Sequence, residues 1–336
     1  MVAKRESGYS RTRSGKSAVR RRVHRRRSPQ SFVVSLAGRL IVKNAVRVWT
    51  LQPSLQWPFE SVEHAAGLLP HDRPHAKIDR VRLTDCDAEW IRAQDTSPNR
   101  VILYLHGGAF LTCGLNTHRS LVTRLSRAAD AAVLNVAYRM LPAHRLSDAI
   151  DDALSGLRWL FRRGYPADRI VVAGDSAGGY LAFMTTLLAM RNRLGKPAGI
   201  ATVSPFTNTN PVRHNKADSC AIFPRGVLPV FTRYLRERRG RAADRVASPV
   251  DADLAGLPPV TIHASSDELL LGDSELMAQR LEAASVRCDL HLWDGQVHDF
   301  PLAADVLPEG RRAIRYIGDF VKDVTGEPEQ DPAQAA

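Results

Sequence analysis

The sequence predicts an α/β protein, a mostly parallel central sheet flanked by helices and covered by a helical cap, and three observations carry that expectation. Continuous apolar runs at residues 101–105, 132–137, 170–173, 200–204 and 260–264 alternate with helix-length segments, as strands buried on both faces and their crossover helices do. One run opens directly into Gly174-Asp175-Ser176-Ala177-Gly178-Gly179 and then a helical pattern from Tyr180, a strand–turn–helix with a serine at its apex. The alternation lapses over residues 205–247, an insertion placed to cover the carboxyl edge of such a sheet.

At 336 residues and 44% hydrophobic composition, the chain can bury a substantial core. Its net charge of +12 suggests a polyanionic partner, but residues 1–27 hold 11 basic residues against the single acid Glu6, leaving +2 for the rest. A nucleic-acid reading therefore attaches to a tail and not to a domain, and no specific nucleic-acid partner is expected. Cys86, Cys113, Cys220 and Cys288 are scattered, with no Cys-x-x-Cys and no histidine at ligand spacing. They read as reduced packing thiols of a cytoplasmic protein, with no metal site.

Residues 1–30 are rich in Arg, Ser and Gly and nearly free of large apolar residues, so they are expected to be a disordered basic tail. Residues 32–49 place Ser35, Arg39, Lys43 and Arg47 four apart among apolar residues, a basic amphipathic helix. Its charges interrupt it too often for a signal peptide or a bilayer span. It is expected to lie on the protein's own surface, the alternative being weak contact of residues 1–49 with an anionic membrane. Residues 78–94 alternate around Asp85-Cys86-Asp87 as two antiparallel edge strands.

The run at 101–105 ends in His106-Gly107-Gly108-Ala109-Phe110. Successive glycines after a buried strand let backbone N–H groups converge, and such a pocket of donors suits an oxyanion. Helical and strand patterns then alternate up to the serine, with Tyr138, Arg139, Pro142 and His144 as scaffolding behind the glycine loop. Within the insertion, residues 227–236 carry Phe231 and Tyr234 and read as the helix of a lid. The expected divisions are a core of 75–205 and 248–323, a cap insertion of 206–247 and a disordered tail of 324–336.

A serine hydroxyl is barely ionised at neutral pH, so it needs a base within hydrogen-bond reach and a carboxylate to orient that base. In this topology the acid and then the histidine follow the nucleophile along the chain. Only His291 and His298 lie late enough; His291 falls inside a strand and His298 in a loop beyond it. For the acid, Asp267 directly follows the buried strand at 260–264 and is taken ahead of Glu268 and Asp273.

The ordered set His106-Gly107-Gly108, Tyr138-Arg139 with Pro142 and His144, Gly174-Asp175-Ser176-Ala177-Gly178-Gly179, Asp267 and His298 resembles the hormone-sensitive-lipase-like branch of the α/β hydrolases. Ala247-Ser248-Pro249, Leu257-Pro258-Pro259 and His298-Asp299-Phe300 resemble its bacterial esterases and lactone hydrolases. The resemblance covers roughly residues 75–322. It implies an α/β-hydrolase fold with Ser176 as nucleophile, His298 as base and Asp267 as orienting acid. It further implies an oxyanion hole of the Gly107, Gly108 and Ala177 N–H groups, a substrate pocket touching Phe110 and Tyr180, residues 31–70 folded over the site as amino-terminal cap helices, and no cofactor. Ala109 stands where a third glycine is common and Tyr180 where many members have Asn.

The expected function is hydrolysis of small-molecule carboxylic esters of short to medium chain length, or lactones, through an acyl-enzyme. Two rivals are a non-catalytic ligand receptor on the same fold and a membrane- or nucleic-acid-tethered protein acting through its basic tail. Retention of both Ser176 and His298 argues against the first.

Overall fold

The computed structural model describes residues 18–68, 75–94, 96–210, 219–237 and 248–326. Along the chain these form β1 (Val19–His24), α1 (Pro29–Ala37), a π-helical turn (Gly38–Val42), α2 (Lys43–Leu51), α3 (Glu60–Leu68), β2 (Ala76–Arg82), β3 (Asp87–Ala93) and β4 (Val101–Leu105). There follow α4 (Leu115–Ala129), β5 (Ala132–Ala137), α5 (Leu146–Arg162), β6 (Ile170–Asp175), α6 (Ala177–Arg191), β7 (Gly199–Val203), α7 (Val227–Glu237), β8 (Val260–Ser265), α8 (Leu271–Ala283), β9 (Cys288–Trp293) and α9 (Pro308–Thr325).

The strands make one sheet in the order β1-β9-β8-β7-β6-β4-β5-β3-β2. All pairings are parallel except those of β3 with β2 and β5, as the alternating pattern before the first buried run predicts. β4 shows why the sheet is filled on both faces. Leu103 and Leu105 point into one core with Leu157 of α5, Leu181 of α6 and Met277 of α8. Ile102 and Tyr104 point into the other with Leu121 and Leu125 of α4 and Ile317 and Phe320 of α9. Successive side chains leave a strand on opposite sides, so a run apolar at every position needs helices on both. β6 sits at the centre, which puts the turn after it in the middle of the sheet's carboxyl edge.

One expectation for the amino-terminal region is corrected. Residues 1–17 lie outside the described residues, but 18–30 are not a disordered tail. β1 pairs in parallel with β9 over Val19–His24, and the Arg20 guanidinium forks onto Asp289 at 2.6 and 2.9 Å. His24 stacks on Trp293 at 3.9 Å between ring centroids. An edge strand supplied by β9 makes ordering worthwhile for a segment whose own composition does not.

Residues 32–49 are helical and lie on the protein's own surface, as expected, with the polar side inward. Ser31, Ser35, Gly38 and Trp49 face inward, Arg39 and Lys43 donate to the carbonyls of Ser219 and Cys220, and Phe32, Val33, Leu36, Leu40 and Ile41 are exposed.

Of the insertion at 206–247, residues 211–218 and 238–247 lie outside the described residues. Its helix α7 packs beside α2, with Trp49 meeting Tyr234 edge-on at 5.8 Å. The carboxyl tail from 327 onward also lies outside the described residues; α9 continues to Thr325. Among the described residues no helix is long and apolar enough to cross a membrane.

Candidate active site

β6 delivers Ser176 into a turn too tight for ordinary residues. A Cβ on Gly178 would lie 1.8 Å from the Leu105 carbonyl oxygen, so helix α6 approaches β4 this closely only through glycine. Ser176 itself has φ 49° and ψ −113°, a sparsely populated conformation for a residue with a side chain. Its N–H is tied to the Val203 carbonyl at 2.9 Å. The hydroxyl thereby stands at the amino terminus of α6, where it meets His298: Nε2 lies 2.9 Å from Ser176 Oγ.

The acid facing His298 is Glu268 and not Asp267. Glu268 Oε2 lies 2.5 Å from His298 Nδ1, while its Oε1 accepts from the Ser265 N–H at 2.7 Å and the Ser204 hydroxyl at 2.9 Å. Asp267 is half-buried on the other side of the turn, where its Oδ1 accepts from the Ser266 hydroxyl. The chain reverses immediately after β8, so the second acid of the pair returns over the strand end while the first is thrown outward. The longer glutamate side chain spans the remaining gap. The one sequence signal for this is the run Leu269-Leu270-Leu271, buried directly behind Glu268. The third candidate, Asp273, accepts the Thr207 and Asn208 N–H groups and is not joined to His298.

The glycine loop is a second correction. Gly107 was the first expected oxyanion donor, but its N–H is aimed inward at His118 Nε2, 3.4 Å away. A Cβ on Gly107 would lie 2.3 Å from Asp175 Oδ2, so glycine is needed here for close approach and not for donation. The chain then takes three successive positive φ values, 108° at Gly108, 56° at Ala109 and 57° at Phe110, a bend closed by the Leu111 and Thr112 N–H groups, which both donate to the Gly108 carbonyl at 3.0 Å. Ala177 opens α6, and the N–H groups of a first helical turn have no carbonyl behind them.

Behind the loop lies a buried polar group that the motif spacing did not reveal. Asp175 accepts from the Tyr104 hydroxyl at 2.7 Å and contacts His118 Nε2 at 3.0 Å. Burial alone would raise Asp175, but His118 outweighs it and holds the carboxyl below its ordinary range. Tyr138 stacks on His106 and donates to its carbonyl at 2.7 Å, and Arg139 forks onto Asp152. These are the supports expected of that segment, whereas His144 is exposed on the surface.

A profile of the alpha/beta hydrolase fold matches residues 102–302. The chain belongs to that family. It is 37% identical over 303 residues to esterase LipU of Mycobacterium tuberculosis, covering 85% of this chain and 100% of that one. Carboxylesterase/phospholipase LipF of the same organism is 36% identical over 319 residues, 89% of this chain and 83% of that one. Among solved structures, EstE5 soaked with p-nitrophenyl butyrate aligns with a TM-score of 0.75 at 30% identity, over 89% of this chain and 99% of that chain. An esterase from the bacterial hormone-sensitive lipase family aligns with a TM-score of 0.71 at 29% identity, over 84% and 97%. The protein is a carboxylesterase-type hydrolase of the hormone-sensitive-lipase-like branch, as its motifs imply.

In this hydrolase the base and the serine are both covered, the base by a ring from the insertion. Phe223 meets the His298 ring edge-on at 4.8 Å, and Ser176 is 7% exposed. Phe110, Tyr180, Phe206 and Phe231 form an aromatic cluster, with Phe110 edge-on to Tyr180 at 5.6 Å and Phe206 to Phe231 at 5.5 Å. Phe110 and Tyr180, the expected pocket residues, are both fully buried in it. Among the described residues no group of His, Cys, Asp and Glu is arranged to hold a metal ion.

Proposed function

We propose that the hydrolase cleaves short- to medium-chain carboxylic esters, or lactones, through a Ser176–His298–Glu268 relay and an acyl-enzyme. The observation that carries this reading is the unbroken line of hydrogen bonds from Glu268 through His298 to a serine held in strained backbone. Ser176 Oγ attacks the ester carbonyl while His298 Nε2 takes its proton, and Glu268 at Nδ1 fixes the ring and stabilises the imidazolium. The tetrahedral oxyanion is held by the N–H groups of Gly108, Ala109 and Ala177, each worth on the order of 3 kcal/mol of barrier. His298 returns the proton to the departing alcohol, and water repeats the sequence to free the acid. The aromatic cluster supports the chain-length assignment, because four buried rings beside the serine leave little length for an acyl tail.

The test is a panel of p-nitrophenyl esters of rising chain length on the wild type, Ser176→Ala, Glu268→Gln and Asp267→Asn. Ser176→Ala should abolish turnover, Glu268→Gln should lower kcat by about 10⁴-fold as loss of an orienting carboxylate does, and Asp267→Asn should be unchanged. Equal losses in the two acid variants would contradict the assignment, as would preference for long chains.

A second reading, contact of the amino-terminal region with an anionic membrane, is favoured by the outward apolar face of α1 and α2. Between Glu6 and Glu60 the chain holds no acidic residue, so basic residues accompany that face without opposition. Apolar insertion and attraction to anionic headgroups then act on the same segment.

A further inference from the structure

His298 carries a carboxyl group at each ring nitrogen. Glu268 occupies Nδ1. At Nε2, through which the Ser176 proton must pass, Asp299 Oδ2 stands 3.0 Å away, against 2.9 Å for Ser176 Oγ. Asp299 directly follows the base, has φ 52° and donates its N–H to Ser204 Oγ at 3.3 Å. It is 7% exposed, and its Oδ1 is buried with no hydrogen-bond partner among the described residues. No lysine or arginine of the described residues pairs with it. The titratable groups that act on it are His298 in its own loop, Glu268 after β8, Asp175 at the end of β6, Tyr104 on β4, Cys113 before α4 and His118 on α4. An ionised carboxylate buried beside two others is expensive unless a cation faces it, and the cation within contact is a protonated His298.

We propose that Asp299 is a positioning residue that competes with Ser176 for Nε2 of His298 and holds a shared proton at that nitrogen in the resting enzyme, so that ester cleavage waits on the departure of that proton. The proposal rests on the Ser176–His298 reading above. One proton is shared by the pair, either as imidazolium with carboxylate or as imidazole with carboxylic acid. In the first form Nε2–H donates to Asp299; in the second the Asp299 hydroxyl donates to Nε2. Both leave the Ser176 hydroxyl without an acceptor, and loss of the shared proton restores one. The electrostatics agree. Burial, with Asp175 and Glu268 nearby, pushes Asp299 up to about 7 against the pull of His298. Burial would lower His298, but Asp299 and Glu268 outweigh it and hold the ring well above its ordinary range.

Asp299→Asn and Asp299→Gly are the informative variants, since both residues tolerate left-handed backbone. Two quantities are followed against pH: kcat/KM for p-nitrophenyl butyrate, and the rate at which phenylmethanesulfonyl fluoride modifies Ser176, which reads the base without turnover. The acid limb of both profiles should move down by about 1–3 pH units, the shift a removed neighbouring charge produces. The ratio of the rate at about pH 6 to that at about pH 9 should accordingly rise at least about tenfold. A purely structural role would lower the whole profile and leave the limb in place, and a limb unmoved in both variants overturns the proposal. Should neither variant fold, ¹⁵N shifts of His298 and ¹³C shifts of the Asp299 carboxyl in the wild type decide it: a proton held between the two near pH 7, on either group, supports the proposal, and a bare Nε2 beside an ionised Asp299 overturns it. Ser176→Ala is run beside them. Turnover surviving that change refutes the relay itself, whereas Ser176-dependent turnover with an unmoved limb refutes only the role of Asp299.

Discussion

Asp273 is buried, and its Oδ2 accepts the N–H groups of Thr207 at 2.8 Å and Asn208 at 2.9 Å. Burial dominates those two bonds and pushes the carboxyl up to about 7. A carboxyl raised on folding contributes stability that is full below its unfolded value near 4 and is lost as pH rises through about 7, because the folded state holds the extra proton. Asp273→Asn should therefore flatten the fall in Tm between about pH 4 and pH 7 relative to wild type, read by calorimetry at fixed ionic strength. A fall of equal size in the variant would assign the effect elsewhere. Residues such as this mark the limit of legibility at the site. Ser176 and His298 could be found from the order of chemistry along the chain, because a tight Gly-x-Ser-x-Gly turn and a late loop histidine are local patterns. Which of Asp267 and Glu268 faces the base depends on how the chain turns after β8, and Gly107 differs from Gly108 only in where its N–H points. Neither is written in residue type.

β1 is an element made by its neighbour. Val19-Arg20-Arg21-Arg22-Val23-His24 has the composition of a solvated segment, and only the open edge of β9 turns it into a strand; pairing between residues some 270 positions apart leaves no local trace. By contrast β4, β6 and β8 announce themselves, since burial on both faces demands apolar residues throughout. His24 and His291 are lowered to about 4, chiefly by burial and then by nearby arginines or each other, and they stack beside Trp293. A histidine lowered on folding contributes stability that is full above its unfolded value near 6.5 and is lost as pH falls through about 4. Hydrogen exchange of the β9 amides that face β1 should accelerate over that interval before the rest of the sheet responds. His24→Phe, which keeps a ring and removes the charge, should suppress the acceleration. Exchange that rises uniformly across the sheet would show that β1 is not released separately. A chain starting at Phe32 should likewise have a lower Tm than one starting at Ala18, since it bares the β9 edge.

At the scale of the whole molecule, the charge imbalance and the outward apolar residues fall on the same side of the chain, ahead of the catalytic core. If that region meets a bilayer, sedimentation with phosphatidylglycerol vesicles should retain the protein at low salt, release it as salt rises, and fail with phosphatidylcholine. Leu36→Ser with Ile41→Ser should weaken retention, whereas binding indifferent to both lipid charge and these residues would remove the membrane reading, and self-association in their place would assign the face to a second copy. The core was legible because alternation of strand and helix is a periodic signal; the orientation of the cap helix was not, because an amphipathic pattern says that two faces differ and leaves open which one meets the protein. The cap's attachments carry a mechanical consequence. Before α1, β1 is sewn into the sheet and Ser28 is held by Glu309 at 2.6 and 2.9 Å; after α2, Glu63 of α3 grips the N–H groups of Asn116 and Thr117 at the start of α4. A span clamped at both ends has no free tip to swing like a door. The break in the regular winding of its helices α1 and α2 is the π-helical turn at Gly38–Val42, between the two anchors.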